Sequence, residues 1–224
     1  MAARNIDLSN DQIPEDCTKS VVYLMGSSKT DKFEKWLKRY PPSKVTKEDG
    51  FTWIYVKNVE KEVEYAGDGK KDLEGLCKSW KEHQKSQLPV NYETLKELAI
   101  KHNTTTGKWI LFTDSGGKVD HLWSLMAATV AAYDNPCYTA KVSAFDKDIN
   151  HVICIYNKDF TNMDKVLESE KAIRRMGIKC KLQYKPDVFT YLDIYAKNKW
   201  NLKPFIMTSQ YNLLTQSSII ENVM

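Results

Sequence analysis

The stretch from Gly107 to Tyr133 constrains what this chain can fold into more than any other. GKWILFTD, from Gly107, runs aromatic, aliphatic and β-branched residues together, the pattern of a buried strand. Ser115-Gly116-Gly117 breaks that pattern and turns the chain. Val119, Leu122, Trp123, Met126 and Val130 then recur at the spacing of one helical face. Asp120 falls in the first turn of that helix, where a carboxylate meets the positive end of the helix dipole. Ala127, Ala128, Ala131 and Ala132 let the helix lie close on a sheet. One strand with one apolar helix laid on it begins an α+β layer.

The rest of the chain supplies more of the same parts. Val21 to Met25 reads as a short strand. Gly26-Ser27-Ser28-Lys29-Thr30 follows it, but lacks the upstream glycine and the Gly–Lys pair of a phosphate loop, so it reads as a capping turn. Phe33, Trp36, Leu37 and Tyr40 mark a helix stopped by Pro41-Pro42. GFTWIYVKNV, from Gly50, is a strand, and the charged run after it, as far as Lys71, reads as an exposed loop. Leu73, Leu76, Cys77 and Trp80 lie on a second amphipathic helix; Asn91 caps a shorter one carrying Leu95, Leu98 and Ile100. TAKVSAF alternates strictly, with Ala140, Val142 and Ala144 on one face and Lys141, Ser143 and Phe145 on the other. A turn at Asp146 to Asp148 joins it to HVICIYN in an antiparallel hairpin. Thr161 to Asp164 resembles a capping box for a helix bearing Met163, Val166, Leu167, Ile173 and Met176, closed by Gly177. A strand near Lys179 to Tyr184 precedes a segment dense in tyrosine and lysine. Residues 20–207 read as a single α+β domain, with 1–19 and 208–224 as flexible polar ends.

Composition excludes several classes. No apolar run in the 224 residues approaches the ~20 that a membrane span needs, and MAARNIDLSNDQ lacks the apolar core of a secretion signal. A cytoplasmic or nuclear protein without membrane contact is expected. The net charge of +4 permits phosphate binding without requiring it. The cysteines at 17, 77, 137, 154 and 180 form no C-x-x-C pair, so they read as small buried hydrophobes and give no support to a metal site. His121 and His151 have Asp120 and Asp148 near them in sequence, but no nucleophile with a positioned base is discernible. A non-enzymatic protein with no cofactor is the expectation.

From Gly107 onward the order is strand, helix, hairpin, helix, strand. GKWILFTD, VDHLWSLMAATVAAYD, AKVSAF with VICIYN, and VLESEKAIRRMGI resemble the corresponding segments of the eukaryotic cap-binding translation initiation factor 4E family. Over nearly the whole chain, WLKRYPPSKV, GKWILF, KVDHLW, TAKVS, HVICIYNKDFT and YKPDVFTYLDIYAKNKWNLKP resemble the family containing the basophilic leukaemia-expressed protein, a domain of unknown function. The resemblance implies a cap-binding-initiation-factor-like α+β fold: a curved antiparallel sheet with helices packed on its convex face. It implies no established activity.

Cap-binding factors hold a methylated guanine between two loop tryptophans. Here AIKHNTTTGKW has no tryptophan before Trp109, and Tyr65 is the one aromatic residue between Val59 and Lys71, so a usual methylated-cap binder is not expected. The resemblance places a phosphate-contacting cation at Lys108 and a base-contacting aromatic at Tyr156. The family's hairpin arginine and a second basic position fall at Phe145 and Val152, where the charge is lost, and Lys141 and Lys147 are the candidates to substitute for them. Lys185, Tyr191, Tyr195, Lys199 and Trp200 interleave aromatic and cationic groups, as binding of single-stranded nucleic acid requires; the alternative is an ordered flap sealing the sheet edge. The first expectation is therefore a binder of single-stranded RNA or a nucleotide on the concave sheet face. The second is a protein–protein interaction module on the convex helical face, anchored by Trp80, a reading that fails if Trp80 is buried.

Overall fold

A computed structural model of the chain describes residues 19–25, 30–64, 70–86, 88–132 and 134–223. Residues 1–18, the Gly26 to Lys29 turn, Tyr65 and the Gly67 to Gly69 loop, each singled out in the sequence, lie outside that range. The strands are β1 (Lys19–Met25), β2 (Phe51–Asn58), β3 (Gly107–Thr113), β4 (Thr139–Ser143), β5 (His151–Asn157), β6 (Leu182–Pro186), β7 (Met207–Asn212) and β8 (Ser217–Asn222). They form one sheet in the order β1-β2-β4-β5-β3-β6-β7-β8. The helices are α1 (Thr30–Arg39), α2 (Val59–Glu64), α3 (Leu73–Lys85), α4 (Tyr92–Lys101), α5 (Gly117–Ala131), α6 (Met163–Arg175) and α7 (Asp187–Tyr191).

The opening strand and its helix form as the sequence implies. β3 lies centrally, between β5 and β6, and α5 crosses β2, β4 and β5. Val119, Trp123, Met126 and Val130 of α5 are buried against Ile54, Val56, Ala140, Val142, Ile153 and Ile155. Trp109 is fully enclosed, and its Nε1 donates to the Val166 carbonyl and to Ser169 Oγ, both at 3.1 Å, pinning α6 to the same layer. Burying such a side chain contributes ~1.5–3 kcal/mol. Asp120 reaches out of this layer, accepting from Ser43 N at 2.9 Å and Ser43 Oγ at 2.7 Å. Gly107 is a close approach: a Cβ there would stand 2.3 Å from the Tyr184 hydroxyl. That hydroxyl donates to Asn157 Oδ1 at 2.6 Å. Gly177 closes α6 at φ +93°, a conformation that favours glycine.

The α+β architecture is the one expected, and the sheet is mixed where an antiparallel one was expected. β1 and β2 run parallel because α1 carries the chain back between them; every other pairing between these strands is antiparallel. Four other expectations are corrected. Residues 208–222 do not fray but complete β7 and form β8. Val59–Glu64 is a helix, not loop: Asn58 Oδ1 accepts from Lys61 N, and the Lys61 ammonium caps α5 through the Val130 carbonyl and ties down the loop after it through the Cys137 carbonyl, each at 3.2 Å. Asn162, not Thr161, caps α6, accepting from Lys165 N. Cys77 and Ile100 face solvent, and Ala99 is the residue that α4 buries beside Leu95. Among the described residues no helix is long and apolar enough to cross a membrane.

Candidate functional site

Side chains alternate across a strand, so the residues not turned to α5 and α6 share the opposite face. They are Trp53, Tyr55 and Lys57 on β2; Thr139, Lys141 and Ser143 on β4; Val152, Cys154 and Tyr156 on β5; Lys108, Ile110 and Phe112 on β3; and Lys185 on β6. The register sets Tyr55, Lys141, Cys154 and Ile110 in one row across the strands. Lys57, Thr139, Tyr156, Lys108 and Lys185 form the next. The sequence-selected residues Lys108, Lys141, Tyr156 and Lys185 thus lie on one face, and the structure divides that face in two.

The β3–β6 half is covered. α7 packs on β3 and β6. The Lys108 ammonium, nine-tenths buried, pairs with Asp187 Oδ1 and donates to Thr190 Oγ1 at 3.2 Å, while Thr106 Oγ1 donates to Asp187 Oδ2 at 2.6 Å. Lys185 Nζ donates to the Ile194 carbonyl at 3.0 Å and lies 3.8 Å from the Tyr195 ring centre. The Tyr191 hydroxyl accepts from Lys71 at 3.2 Å. Lys199 is exposed, bonded to Gln84 Oε1 and lying over the half-buried Trp200 ring. The segment from Asp187 to Trp200 is ordered but lies over the face of the interior strands β3 and β6, not along a sheet edge, and it holds the Lys108 and Lys185 ammonium groups inside.

Burial of Lys185, aided by the Lys108 charge, pushes its pKa down to about 8 against acidic neighbours that raise it. A lysine depressed in the folded state destabilises the fold while both states are protonated. That penalty fades as pH rises from about 8 towards the ordinary 10.5. Wild-type stability should climb across this window relative to Lys185→Met, which has nothing to titrate. Chemical denaturation at pH 7.5, 9 and 10 reads the difference; parallel curves would refute it.

The β2–β4–β5 half is the more open one among the described residues, its Trp53, Tyr55, Lys57, Lys141 and Tyr156 side chains half-exposed. Lys141 Nζ lies 3.9 Å from the Trp53 ring centre, 5.8 Å from Tyr55 and 5.9 Å from Tyr156. Each of these side chains is half-buried. Lys108 approaches Tyr156 from the far side at 5.4 Å. Burial lowers the Lys141 pKa, with Lys108 adding to the fall and Cys154 opposing it. Burial also pushes the Tyr55 phenol up to about 12, helped by Cys154, so it stays neutral. Trp53 further lines a cavity of about 170 Å³ with Ile149, Asn150 and Val152. That is smaller than the ~300–1,000 Å³ of a whole-ligand pocket and fits one planar group. Lys147, at the tip of the β4–β5 turn, is exposed. Trp53 and Tyr55 were not assigned to the site from the sequence; their parity with Lys141 across the β2–β4 register is the signal that finds them.

Trp80 is 5% exposed and packs on Trp200 at 4.8 Å, so its indole is not offered to a partner and the helical-face reading loses its anchor. The helical face has instead a groove of about 320 Å³ between α1 and α5, lined by Leu37, Pro41, Pro42 and Trp123. Beside Trp80, Asp72 Oδ2 meets His102 Nδ1 at 2.8 Å, and His102 Nε2 meets Ser79 Oγ at 2.9 Å. This is a carboxylate–imidazole–hydroxyl relay, but Ser79 sits in mid-helix with its backbone N–H used by α3 and has no pair of free amides to hold an oxyanion. The relay fastens α3 to the end of α4. His151 bridges the Ser143 carbonyl and Ser115 Oγ, and His121 is exposed.

Residues 82–193 match the profile of a family described as basophilic leukemia-expressed protein Bles03. Three solved structures are similar over part of the fold. C. elegans eIF4E-3, in complex with the 4E-binding protein Mextli and cap analog, is 19% identical over 40% of this chain and 55% of its own, with a TM-score of 0.34. A schistosome eIF4E complexed with m7GpppA and 4E-BP is 12% identical over 46% and 58%, with a TM-score of 0.35. Ascaris suum eIF4E-3 with m2,2,7G cap is 17% identical over 38% and 52%, with a TM-score of 0.32. The chain spans just over half the length of these structures.

Proposed function

The chain belongs to the family of the basophilic leukemia-expressed protein Bles03, and for it we propose a non-catalytic role: binding single-stranded RNA or a nucleotide on the open half of the sheet. One observation carries this reading. Trp53, Tyr55 and Tyr156 surround the Lys141 ammonium on a half-buried surface with a small cavity beside Trp53. Every base has a π-face to stack on such rings, and a cation among them attracts the phosphate. Lys108 is paired with Asp187 and Lys185 with the Ile194 carbonyl, so this reading keeps Lys141 and Tyr156 of the sequence candidates and adds Trp53 and Tyr55.

Stacking on an aromatic side chain contributes ~1–3 kcal/mol per base, so Trp53→Ala should weaken binding roughly five- to 150-fold. Fluorescence anisotropy of labelled RNA oligomers of about four to eight bases, at two salt concentrations, measures this. Affinity should fall as salt rises. No binding at low salt, or equal binding by Trp53→Ala and wild type, defeats the proposal.

A further inference from the structure

Two ammonium groups on the open face lack the partners that the covered half supplies to its own. Lys141 makes no hydrogen bond or ion pair among the described residues, and neither does Lys57, its diagonal neighbour across the β2–β4 register. Such neighbours stand ~7–8 Å apart, close enough for two flexible lysines to converge on one anion. The other lysines of this surface differ: Lys108 is paired with Asp187, Lys185 with a carbonyl and Lys47 with Asp146. Lys141 is also placed oddly for a solvated lysine, since its ammonium sits over the indole that would receive a base.

We propose that Lys57 and Lys141 form a subsite for the terminal phosphate of a nucleoside monophosphate, and that phosphate binding draws Lys141 off Trp53 and frees that ring to stack the base. The inference rests on the open-face reading above and deepens it. The apolar residues Ile149 and Val152 beside Trp53 suit the base, and the two lysines lie on the other side of the same ring in the strand order, towards Thr139. A base without phosphate must displace the Lys141 ammonium from the indole with nothing to receive it. A nucleotide carries the receiving group with it. Partly removed from water, that ammonium gains more from an anion than an exposed lysine does.

Isothermal titration with guanosine 5′-monophosphate, adenosine 5′-monophosphate, guanosine and inorganic phosphate tests the subsite. Wild type should bind each monophosphate at least tenfold more tightly than guanosine. In Lys141→Met the preference should shrink to about twofold, through weaker nucleotide binding and unchanged or tighter guanosine binding. Lys57→Ala, a milder change on a half-exposed side chain, should lose about half of the preference on a logarithmic scale while guanosine binding stays as in wild type. A wild-type preference under threefold, or one that survives both substitutions, overturns the subsite. RNA oligomers that still bind in that case leave the open-face reading standing, whereas a wild type that binds neither oligomers nor nucleotides removes both.

Discussion

Replacing Lys108 with methionine is expected to destabilise the protein by ~3–5 kcal/mol, since it strands the Asp187 carboxylate in the interior without its counter-charge. Both groups of this pair are more than nine-tenths buried. Burial raises the Asp187 pKa, but the Lys108 charge and hydrogen bonds from Lys108 and Thr106 outweigh it and hold the carboxyl below its ordinary 3.8. Burial lowers the Lys108 pKa, and the Asp187 charge overrides it, leaving Lys108 above its ordinary 10.5. The pair's contribution is thus present above about pH 3.8, lost as pH falls through the folded Asp187 value, and lost again as pH rises past the folded Lys108 value. At ~2–4 °C per kcal/mol for a chain of this size, Lys108→Met should melt ~6–20 °C lower at neutral pH. The double variant Lys108→Met/Asp187→Leu should recover most of that loss, because apolar replacement of a whole buried pair is close to neutral. A single variant that melts within 2 °C of wild type would show that water reaches Asp187.

Lys108 also shows why the site was harder to read than the fold. Its neighbours in sequence place it on a strand with the correct parity, and a phosphate contact is only an expectation for it. What fixes its role is Asp187, 79 residues further on. No periodicity predicts that pairing, because the α7 segment that carries it is short and irregular in pattern. The elements that were legible bury an apolar stripe of their own: α5 through Trp123 and Met126, and β4 through Ala140 and Val142, each enclosed as the spacing requires. The elements that were missed are held by polar groups from elsewhere. α2 reads as a charged loop until Lys61 is seen to cap α5. β7 and β8 read as polar tail because their inward residues include Ser209, buried with no apolar signature.

That polar closure yields the second large effect. Glu170→Ala is expected to cost ~3–5 kcal/mol and to loosen the β7–β8 hairpin before the rest of the sheet. Glu170 is 2% exposed, and its Oε1 accepts from Arg174 Nε at 2.8 Å, Ser209 Oγ at 2.6 Å and Ser218 Oγ at 2.6 Å. Arg174 donates in turn to the carbonyls of Ile178, Cys180 and Ser209 and to Ser209 Oγ. One carboxylate on α6 therefore ties both strands of the sheet's last hairpin to the helix layer. Removing it leaves a guanidinium and the Ser209 hydroxyl buried, and the Ser218 hydroxyl half-buried, without this acceptor, each uncompensated group adding to the cost. Among the described residues β8 has no neighbour on its outer edge and shows Ile219 and Ile220 to solvent, so apart from its ladder to β7 little holds it. Hydrogen exchange should accelerate first at amides 207–222, with β3 and β5 protected until global unfolding. Glu170→Gln keeps an acceptor oxygen and should lose less. Uniform acceleration across the sheet, or unchanged exchange in β7 and β8, would show that the hairpin is secured by its backbone ladder and not by this junction.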